Sequence, residues 1–444
     1  MPPQPLHLSC RREAARAAAE PAPIFIQAGE ASPHEPACPR NSWFSWHHRS
    51  MHLRGILLSA AALLAAAAVF YAADQPKLPP PYATPSSNNG PRVIPQPSGA
   101  QLTVPAGFHA EVWAEDFNTP RFMMLGPSNE ILLSDSGSGQ RPTGIIYVLQ
   151  GKERKKIIEN LNRPYGLAML NGYLYVGECD SVKRYKYDPK AMIAGPGEEV
   201  VSLKGQGTHH WTRSLLFDKD GKYLYVGVGS GSNSSPGEDP RRAAINRYKV
   251  DGWTHEIYAA GTRNPIGMRW YPGTDTLWAA IQERDDLGDD LVPDYFTHIQ
   301  QGGFYGWPYA YFGPNEDPTN KGLAPALVAK TIVPDVSLGA HKAVLDFVFY
   351  TGKQFPAEYQ GGAFLAWHGS WNRSQRVGQS IAFVPFKNGE PAGPPREILT
   401  GWMLGPDKRE VWGRPVGLLQ MTDGSLLISE DGGKKLWHLS YTGK

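Results

Sequence analysis

Residues 261–308 bring together three residue patterns that can each do chemistry. The stretch opens on Gly-Thr-Arg-Asn-Pro, which contains Arg263 and Asn264, and closes on the aromatic run Gly-Gly-Phe-Tyr-Gly-Trp-Pro at 302–308. The acidic run Glu-Arg-Asp-Asp-Leu-Gly-Asp-Asp lies between them at 283–290. An anion-binding turn, a hard-cation site and an aromatic wall would therefore share one stretch of chain.

The guanidinium of Arg263 is a planar fork of donors that fits a carboxylate, and the turn at Asn264-Pro265 can aim it. This chemistry suits a small, flat, polyanionic ligand. The acidic run is broken by Gly288 and can fold around Ca²⁺ with carbonyl and carboxylate oxygens. Each pattern alone is more typical of an ordinary turn or a solvated loop, so it is their combination that indicates a site.

The elements that position this stretch belong to a repeat. From about residue 101, a Pro or Arg turn precedes an apolar strand, a Gly/Asn/Asp turn and a second strand that ends in small or acidic residues. Six copies occur, at 120–135, 164–178, 212–229, 264–280, 345–368 and 414–430. The first four begin about 40 to 50 residues apart, the length of a four-stranded propeller blade. The sequence therefore predicts an all-β fold, a six-bladed β-propeller of four-stranded antiparallel blades preceded by an export segment.

In such a ring the innermost strands converge on a central axis, so the starts of the repeats face one shared pocket. Polar or charged side chains occur at most of these starts, namely Arg121, His210 with Arg213, Arg263 with Asn264, His368 with Arg373, and Arg414. One arginine in such a place can simply brace a loop. Several at one end of the ring predict a pocket for an anionic ligand.

The composition agrees with a large β-rich fold. The chain has 444 residues, 41% of them hydrophobic, with 48 Gly and 40 Pro. This favours many turns and short strands around a sizeable core. The formal net charge is +2, and the folded part has no stripe of Lys and Arg interleaved with aromatics. A nucleic-acid partner is therefore not expected.

The N-terminus predicts export. Met51-His52-Leu53-Arg54 precedes an Ala/Leu-rich run, and residues 51–73 together have the charged and apolar regions of a signal peptide. Met51 is then the expected start, and residues 1–50 a disordered or mispredicted extension. The alternative for 51–73 is an uncleaved anchor, since the run is nearly long enough to span a bilayer. That anchor would be the only membrane contact.

Residues 74–100 are rich in Pro, Ser and Asn and are predicted to link the export segment to a domain at 101–444. Either interpretation of the N-terminus places this domain outside the cytoplasm, in the periplasm or secreted. Cys179 is the one cysteine after Met51, with Cys10 and Cys38 upstream. It is expected to be a small buried residue rather than a nucleophile.

The chain resembles the propeller of pyrroloquinoline quinone (PQQ)-dependent sugar dehydrogenases, in the branch with L-sorbosone dehydrogenases and fungal pyranose dehydrogenases. The matching stretches lie in family order across most of residues 101–444. They are 210–213, 261–265, 283–294, 302–308, 366–373 and 412–417. These spacings are not general to propellers.

The resemblance implies that PQQ, which has three carboxylates, binds in the arginine-rich pocket. Arg263 and Asn264 match the family's cofactor-binding Arg-Asn pair, and Arg414 matches a further arginine that contacts the quinone. Additional contacts would come from Arg121 and from either His368 or Asn372.

The resemblance also implies Ca²⁺ at the acidic run, with main-chain oxygens of Arg284 and Asp285 as ligands. His210 aligns with the catalytic histidine, the general base that removes the hydroxyl proton. In the related soluble glucose dehydrogenases an acidic residue orients this histidine. Ser230 stands at that position here, so Asp218 or a water molecule would have to take over.

The expected function is oxidation of an aldose, a sorbosone-like ketoaldehyde or a related polyol, by hydride transfer to PQQ. Electrons would pass to an external quinone, cytochrome or dye, since the chain has no Cys-x-x-Cys-His for a c-type haem. Two other classes stay open. A calcium-dependent six-bladed lactonase or esterase would need carboxylate ligands on several inner strands, and a non-catalytic propeller would bind glycan or protein through its Trp and Tyr side chains.

Overall fold

The computed structural model describes residues 77–137, 142–151 and 153–443. The predicted extension at 1–50 and export segment at 51–73 lie outside these residues. No helix in the described part of the chain is long and apolar enough to cross a membrane.

Six antiparallel sheets form the blades, and each first strand packs against the first strand of the next blade until the ring closes. Blade 1 comprises Pro120–Leu125, Ile131–Asp135, Gly144–Gln150 and Glu153–Leu161; blade 2 comprises Leu167–Leu170, Tyr173–Glu178, Ser181–Asp188 and Ile193–Ser202; blade 3 comprises Arg213–Phe217, Tyr223–Val228, Ala244–Lys249 and Thr254–Ala260. Blade 4 comprises Asn264–Trp270, Leu277–Gln282, Pro293–His298 and Val336–Ala340; blade 5 comprises Val344–Phe349, Ala363–Trp367, Ser380–Val384 and Arg396–Leu399.

Blade 6 closes the ring with strands from both ends of the described chain. Pro415–Gln420, Leu426–Glu430 and Lys435–Tyr441 are followed at the edge by Phe108–Ala114, which pairs antiparallel with Lys435–Tyr441. The first strand of the propeller therefore completes its last blade. This closure places blade 6 beside blade 1, whose first strand follows Phe108–Ala114 in the chain.

The remaining elements are short. Gly303–Phe304 extends blade 3, and small pairs form between Arg92–Val93 and Glu410–Val411, Ala310–Tyr311 and Asn315–Glu316, and Phe386–Lys387 and Glu390–Pro391. Short helices span Pro318–Asn320, Pro325–Val328 and Ala357–Tyr359. All of these lie outside the four-stranded pattern.

Local sequence explains the blade hairpins. Asn171 and Gly172 have φ values of 51° and 77°, so this pair makes the tight turn that Asn-Gly predicts. In Asp220-Gly221 and Asp423-Gly424 only the glycines have positive φ, at 67° and 88°. Those two turns are therefore wider than the two-residue hairpins that the dipeptides predicted.

The core lies between blades, because neighbouring blades cover both faces of each inner hairpin. Trp278 and Phe296 of blade 4 pack with Phe347 of blade 5 in one such layer. The ring centroids of Phe296 and Phe347 are 4.7 Å apart in an edge-to-face arrangement. Outer strands are more exposed, as in Glu153–Leu161.

Residues 77–100, predicted as part of a linker, run along surface loops of the propeller. The Tyr82 amide donates to the Leu287 carbonyl (2.8 Å) and the Asn89 amide to the Trp371 carbonyl (2.7 Å). Arg92–Val93 then pairs in parallel with Glu410–Val411. The segment thus contacts loops between the second and third strands of blades 4 and 5, and the stretch that precedes blade 6.

Candidate active site

The loops at one end of the ring enclose a polar pocket of about 390 Å³. In an antiparallel hairpin the start of the first strand lies beside the end of the second, so both contribute side chains here. Most of the predicted site residues meet in it: Arg121, His210, Arg263, Asn264, Asp285, His368 and Arg414. The convergence expected from the repeat is therefore present.

His210 precedes the first strand of blade 3, and its ring is held by Ser230 at the end of the second strand. His210 Nδ1 lies 2.9 Å from the Ser230 carbonyl oxygen and 3.0 Å from Ser230 Oγ. A carbonyl can only accept, so Nδ1 of the neutral ring carries the hydrogen. Nε2 then keeps its lone pair, as a general base requires.

The electrostatics keep His210 neutral. Burial, followed by the charges of Arg263 and His209, holds the pKa of His210 well below its ordinary value. Ser230 thus takes the orienting role for which Asp218 or a water molecule was the expected substitute. Asp218 instead accepts from the Tyr223 amide (2.9 Å) within its own hairpin.

Arg263 is buried at the start of blade 4 and is already well bonded. Its Nε donates to the Asn233 carbonyl (3.2 Å), Nη1 to the Glu283 carbonyl, and Nη2 to Asn233 Oδ1 (3.0 Å) and Asp285 Oδ2 (3.3 Å). These contacts use four of the five N–H groups of a guanidinium. One N–H remains for a ligand, together with the positive charge.

Asn264, the other half of the predicted Arg-Asn pair, has an unused acceptor. Its Nδ2 donates to Gln282 Oε1 (2.9 Å), while its buried Oδ1 has no partner among the described residues. A buried acceptor without a partner is costly, so a donor from a ligand or water is expected at this point.

Blades 5, 6 and 1 form the opposite side of the pocket around Asp431. Asp431 Oδ1 lies 2.9 Å from His368 Nε2, and Oδ2 lies 2.8 Å from Arg121 Nη2. The Arg121 guanidinium also lies 5.2 Å from the ring centroid of Trp211. One carboxylate therefore holds two predicted site residues that belong to different blades.

Charge and burial oppose one another on this side. Burial, with the nearby charge of Arg414, lowers the pKa of His368 to about 4. Burial would raise the pKa of Asp431, but Arg121 and His368 hold it well below its ordinary value. His368 is thus neutral near pH 7 and Asp431 is ionised.

Arg414 has the most available guanidinium of the predicted set. Its Nε donates to the His368 carbonyl (3.3 Å), and neither Nη bonds to another described residue. Burial lowers its pKa to about 10, so it stays charged at neutral pH. A half-buried planar cation with free N–H groups fits a carboxylate.

The acidic run forms the edge of the pocket, but it does not match the predicted metal ligands well. The Asp285 carbonyl accepts from Arg284 Nε (3.0 Å) and Asn233 Nδ2 (3.1 Å), which uses both of its lone pairs. Arg284 itself pairs with Asp317 (2.7 Å) and does not line the pocket. Across the described ranges, no three His, Cys, Asp or Glu side chains are grouped to hold a metal ion. Of the two predicted carbonyl ligands, that of Asp285 does not fit a metal.

Asn372 also lies outside the pocket lining. Its Oδ1 accepts from the Asp286 amide (2.9 Å), and its Nδ2 donates to the Ser87 carbonyl (3.2 Å). Of the two alternatives from the sequence, His368 is the one that lines the pocket.

Sequence reasoning missed Asp431 and Asn233. Asp431 directly follows a strand that ends in Glu430, so the acidic strand ends of the repeat were the available signal. Nothing around Asn233 marks it, because its loop between two strands of blade 3 has only Gly, Ser, Asn and Pro nearby.

A family model, described as TrAA12-like, matches residues 102–310 and 328–442. The chain belongs to the TrAA12-like family. This TrAA12-like chain is 28% identical over 354 residues to an uncharacterized protein of Borreliella burgdorferi, covering 77% of this chain and 91% of that one. It is 29% identical over 176 residues to the aldose sugar dehydrogenase YliI of Escherichia coli, covering 35% of this chain and 44% of that enzyme.

Solved structures share the fold of this TrAA12-like propeller. An AA12 enzyme of Trichoderma reesei superposes with a TM-score of 0.66 at 22% identity, covering 80% of this chain and 100% of that one. The holo PQQ domain of a pyranose dehydrogenase from Coprinopsis cinerea gives 0.65 at 19% identity, covering 78% and 98%. A PQQ-bound aldose sugar dehydrogenase from Streptomyces coelicolor gives 0.54 at 19% identity, covering 77% and 100%. The six-bladed fold and the family resemblance predicted from the sequence are both confirmed.

Proposed function

We propose that this TrAA12-like propeller is a sugar oxidoreductase with PQQ as its hydride acceptor. The observation that carries the proposal is the composition of the pocket: a neutral histidine with a free Nε2 faces the same cavity as three arginines, Arg121, Arg263 and Arg414. Relatives and structural neighbours that are named as aldose sugar dehydrogenases or PQQ domains support it.

The residues present fit PQQ. Arg414 would hold a carboxylate with its free Nη groups, and Arg263 would add its charge and one N–H. The unpartnered Oδ1 of Asn264 and the unpartnered Nε of Arg121 are further polar atoms that the cofactor could satisfy. When bound, PQQ supplies an ortho-quinone that accepts a hydride.

The chain's own contribution to the reaction is to remove a proton. His210 Nε2 takes the proton of the sugar hydroxyl as the carbon loses its hydride, while Nδ1–H stays bonded to the Ser230 carbonyl. Because Arg263 and His209 disfavour the imidazolium, His210 would pass the proton on rather than keep it.

Calcium is a separate part of the proposal. Of the predicted carbonyl ligands, that of Arg284 stays available, and the Asp285 carboxylate lines the pocket edge. Treatment with a chelator followed by readdition of Ca²⁺ or Mg²⁺ tests this. Full dye reduction by the chelated protein would contradict a calcium requirement.

We further propose that the domain works outside the cytoplasm and passes its electrons to an external quinone, cytochrome or dye. The proposed export segment at 51–73 supports the first point. Fractionation of cells that express the chain from Met51 tests it, and retention in the cytoplasm would contradict it.

Reconstitution tests the main proposal. Purified apo-protein is titrated with PQQ and Ca²⁺, and dye reduction is followed with a panel of aldoses, ketoaldehydes and polyols. Arg263→Ala should weaken cofactor uptake, whereas His210→Ala should keep uptake and lose turnover. Well-folded protein with neither bound-quinone absorbance nor dye reduction would contradict the proposal and favour the non-catalytic glycan- or protein-binding alternative.

A further inference from the structure

One asparagine joins the three parts of the site that the sequence places between residues 261 and 308. Asn233 lies in the loop after the second strand of blade 3. Its Oδ1 accepts from Arg263 Nη2 (3.0 Å) and the Asp285 amide (2.9 Å), and its Nδ2 donates to the Asp285 carbonyl (3.1 Å) and Asp286 Oδ2 (3.3 Å). Its own carbonyl accepts from Arg263 Nε (3.2 Å) and Trp307 Nε1 (2.9 Å).

We infer that Asn233 is the positioning residue that fixes Arg263, the acidic loop and Trp307 relative to one another. The inference rests on the proposed function, because the pocket edge that Asn233 organises is the one proposed to hold PQQ.

The chemistry requires an amide. The side chain of Asn233 bonds both the N–H and the C=O of Asp285, as a neighbouring strand would, and it offers a second lone pair to Arg263. An aspartate would place an acceptor against the Asp285 carbonyl and the Asp286 carboxylate. An alanine would leave the Asp285 amide and Arg263 Nη2 without this acceptor.

The position of Arg263 also sets the charge around His210. Arg263 is the charged neighbour with the largest effect on the His210 ring, and it lowers the pKa of that histidine. Of the four hydrogen bonds of Arg263, one goes to the Asn233 side chain and a second to the Asn233 backbone carbonyl. Loss of the Asn233 side chain should therefore loosen Arg263, the proposed cofactor contact. It should also change the pKa of His210, the proposed base.

The experiment compares Asn233→Ala with Asn320→Ala in the full chain. Asn320 is a matched control because its Nδ2 donates to the Ser234 carbonyl (2.7 Å) and the Pro308 carbonyl (2.9 Å), next to the same loops, but contacts neither Arg263 nor Asp285. PQQ uptake by apo-protein is titrated by tryptophan fluorescence, and kcat is measured against pH.

N233A should weaken PQQ uptake by about tenfold, the loss expected for one hydrogen bond to a charged group, because only the bond from Arg263 Nη2 goes to the side chain. It should also move the acid limb of the kcat profile to higher pH. N320A should leave uptake within about twofold of wild type and the acid limb in place, at a similar loss in Tm. Equal uptake in N233A and wild type, or an equal loss in N320A, would overturn the inference.

Hydrogen exchange separates this inference from the proposed function. If wild-type protein takes up no PQQ, the proposed function fails before any variant is considered. The Asp285 amide in cofactor-free protein still reports on Asn233, since it donates to Asn233 Oδ1. Its exchange should be at least tenfold faster in N233A and unchanged in N320A; unchanged exchange in N233A would overturn the positioning role.

Discussion

The two sides of the pocket use similar side chains but hold them differently. On the side of blades 3 and 4, which we term the carbonyl-held wall (His210, Ser230, Arg263 and Glu283), His210 bonds a serine carbonyl and Arg263 bonds the carbonyl of Glu283. On the side of blades 5, 6 and 1, the carboxylate-held wall (Arg121, His368, Arg414 and Asp431), one aspartate binds both a histidine and an arginine.

The two walls therefore have different roles. The first prepares a proton acceptor, and the second balances buried charge. The carbonyl-held wall fixes the His210 tautomer without placing a carboxylate on the ring, which leaves Nε2 free and the ring neutral. On the carboxylate-held wall, the negative charge of Asp431 offsets buried cations that would otherwise repel one another. We therefore expect turnover to depend more on His210 of the first wall than on His368 of the second, and stability to depend more on Asp431 than on the Ser230 side chain.

The largest expected effect is on turnover. His210→Ala should lower kcat by roughly 10³-fold, within the range for loss of a general base, with PQQ uptake unchanged. His368→Ala, on the other wall, should lower kcat by no more than about tenfold, since it removes a hydrogen-bonded neutral ring and not the base. Steady-state dye reduction with a saturating aldose measures both. A larger loss in the His368 variant would place the base on the carboxylate-held wall.

The next effect is on stability. Asp431→Asn removes the buried charge between Arg121 and His368 and should lower the free energy of unfolding by about 3 kcal/mol in urea. The control on the other wall is Ser230→Ala, which keeps the carbonyl that holds His210 and should cost no more than about 1 kcal/mol. Equal costs would mean that the two walls do not differ as described.

A third effect concerns ligand binding. The Nη groups of Arg414 are free, whereas most N–H groups of Arg263 donate to other residues of the protein. Arg414→Ala should therefore weaken PQQ uptake by about tenfold or more with little change in Tm. Arg263→Ala should weaken PQQ uptake and also lower Tm, since the carbonyl oxygen and Oδ1 of Asn233 then lose the hydrogen bonds that Arg263 donates. Titration and thermal melting of the same apo-proteins measure this. The opposite ranking of the two Tm losses would contradict the hydrogen-bond assignment.

What could be predicted from the sequence follows from local physics. Turn residues and apolar strands recur at blade length, and this local pattern was sufficient for the six blades and for the arginines and histidines at their starts. Asp431 could not be paired with Arg121 in this way, because the two are far apart in the chain and meet only through closure of the ring. The Ser230 carbonyl holds His210 with a backbone atom, which has no residue-type signature.

Composition was a poorer guide where contacts decide the outcome. Residues 77–100 have the composition of a linker, but backbone hydrogen bonds to loops such as that of Trp371 lay them on the propeller. The Asp285 carbonyl was predicted as a metal ligand, but Arg284 and Asn233 already use its lone pairs. Both results depend on which atoms the fold brings into contact, and composition alone does not show that.

The smallest expected effect uses one carboxyl from each wall, Glu283 and Asp431, whose pKa values move in opposite directions. Burial raises the pKa of Glu283 to about 8 against the opposing charge of Arg263, which bonds the backbone carbonyl of Glu283, and no cation of the described residues pairs with its carboxyl. The pKa of Asp431 is instead lowered. A raised pKa means that the folded state binds the proton more tightly. The associated stability is fully present below the ordinary carboxyl value near 4.5 and is lost as pH rises through about 8.

Glu283→Gln removes this titration. Its Tm should match that of wild type near pH 5 and exceed it by a few degrees at pH 8.5, since only the wild type must then ionise a buried carboxyl. Glu111→Gln is the control, because the Glu111 side chain is 75% exposed and should show no such trend. A Tm difference that stays constant from pH 5 to 8.5 would show that Glu283 is ionised throughout. The Glu283 carboxyl would then have to pair with a cation, as Asp431 pairs with Arg121. The two walls would not differ in how they hold their carboxyls.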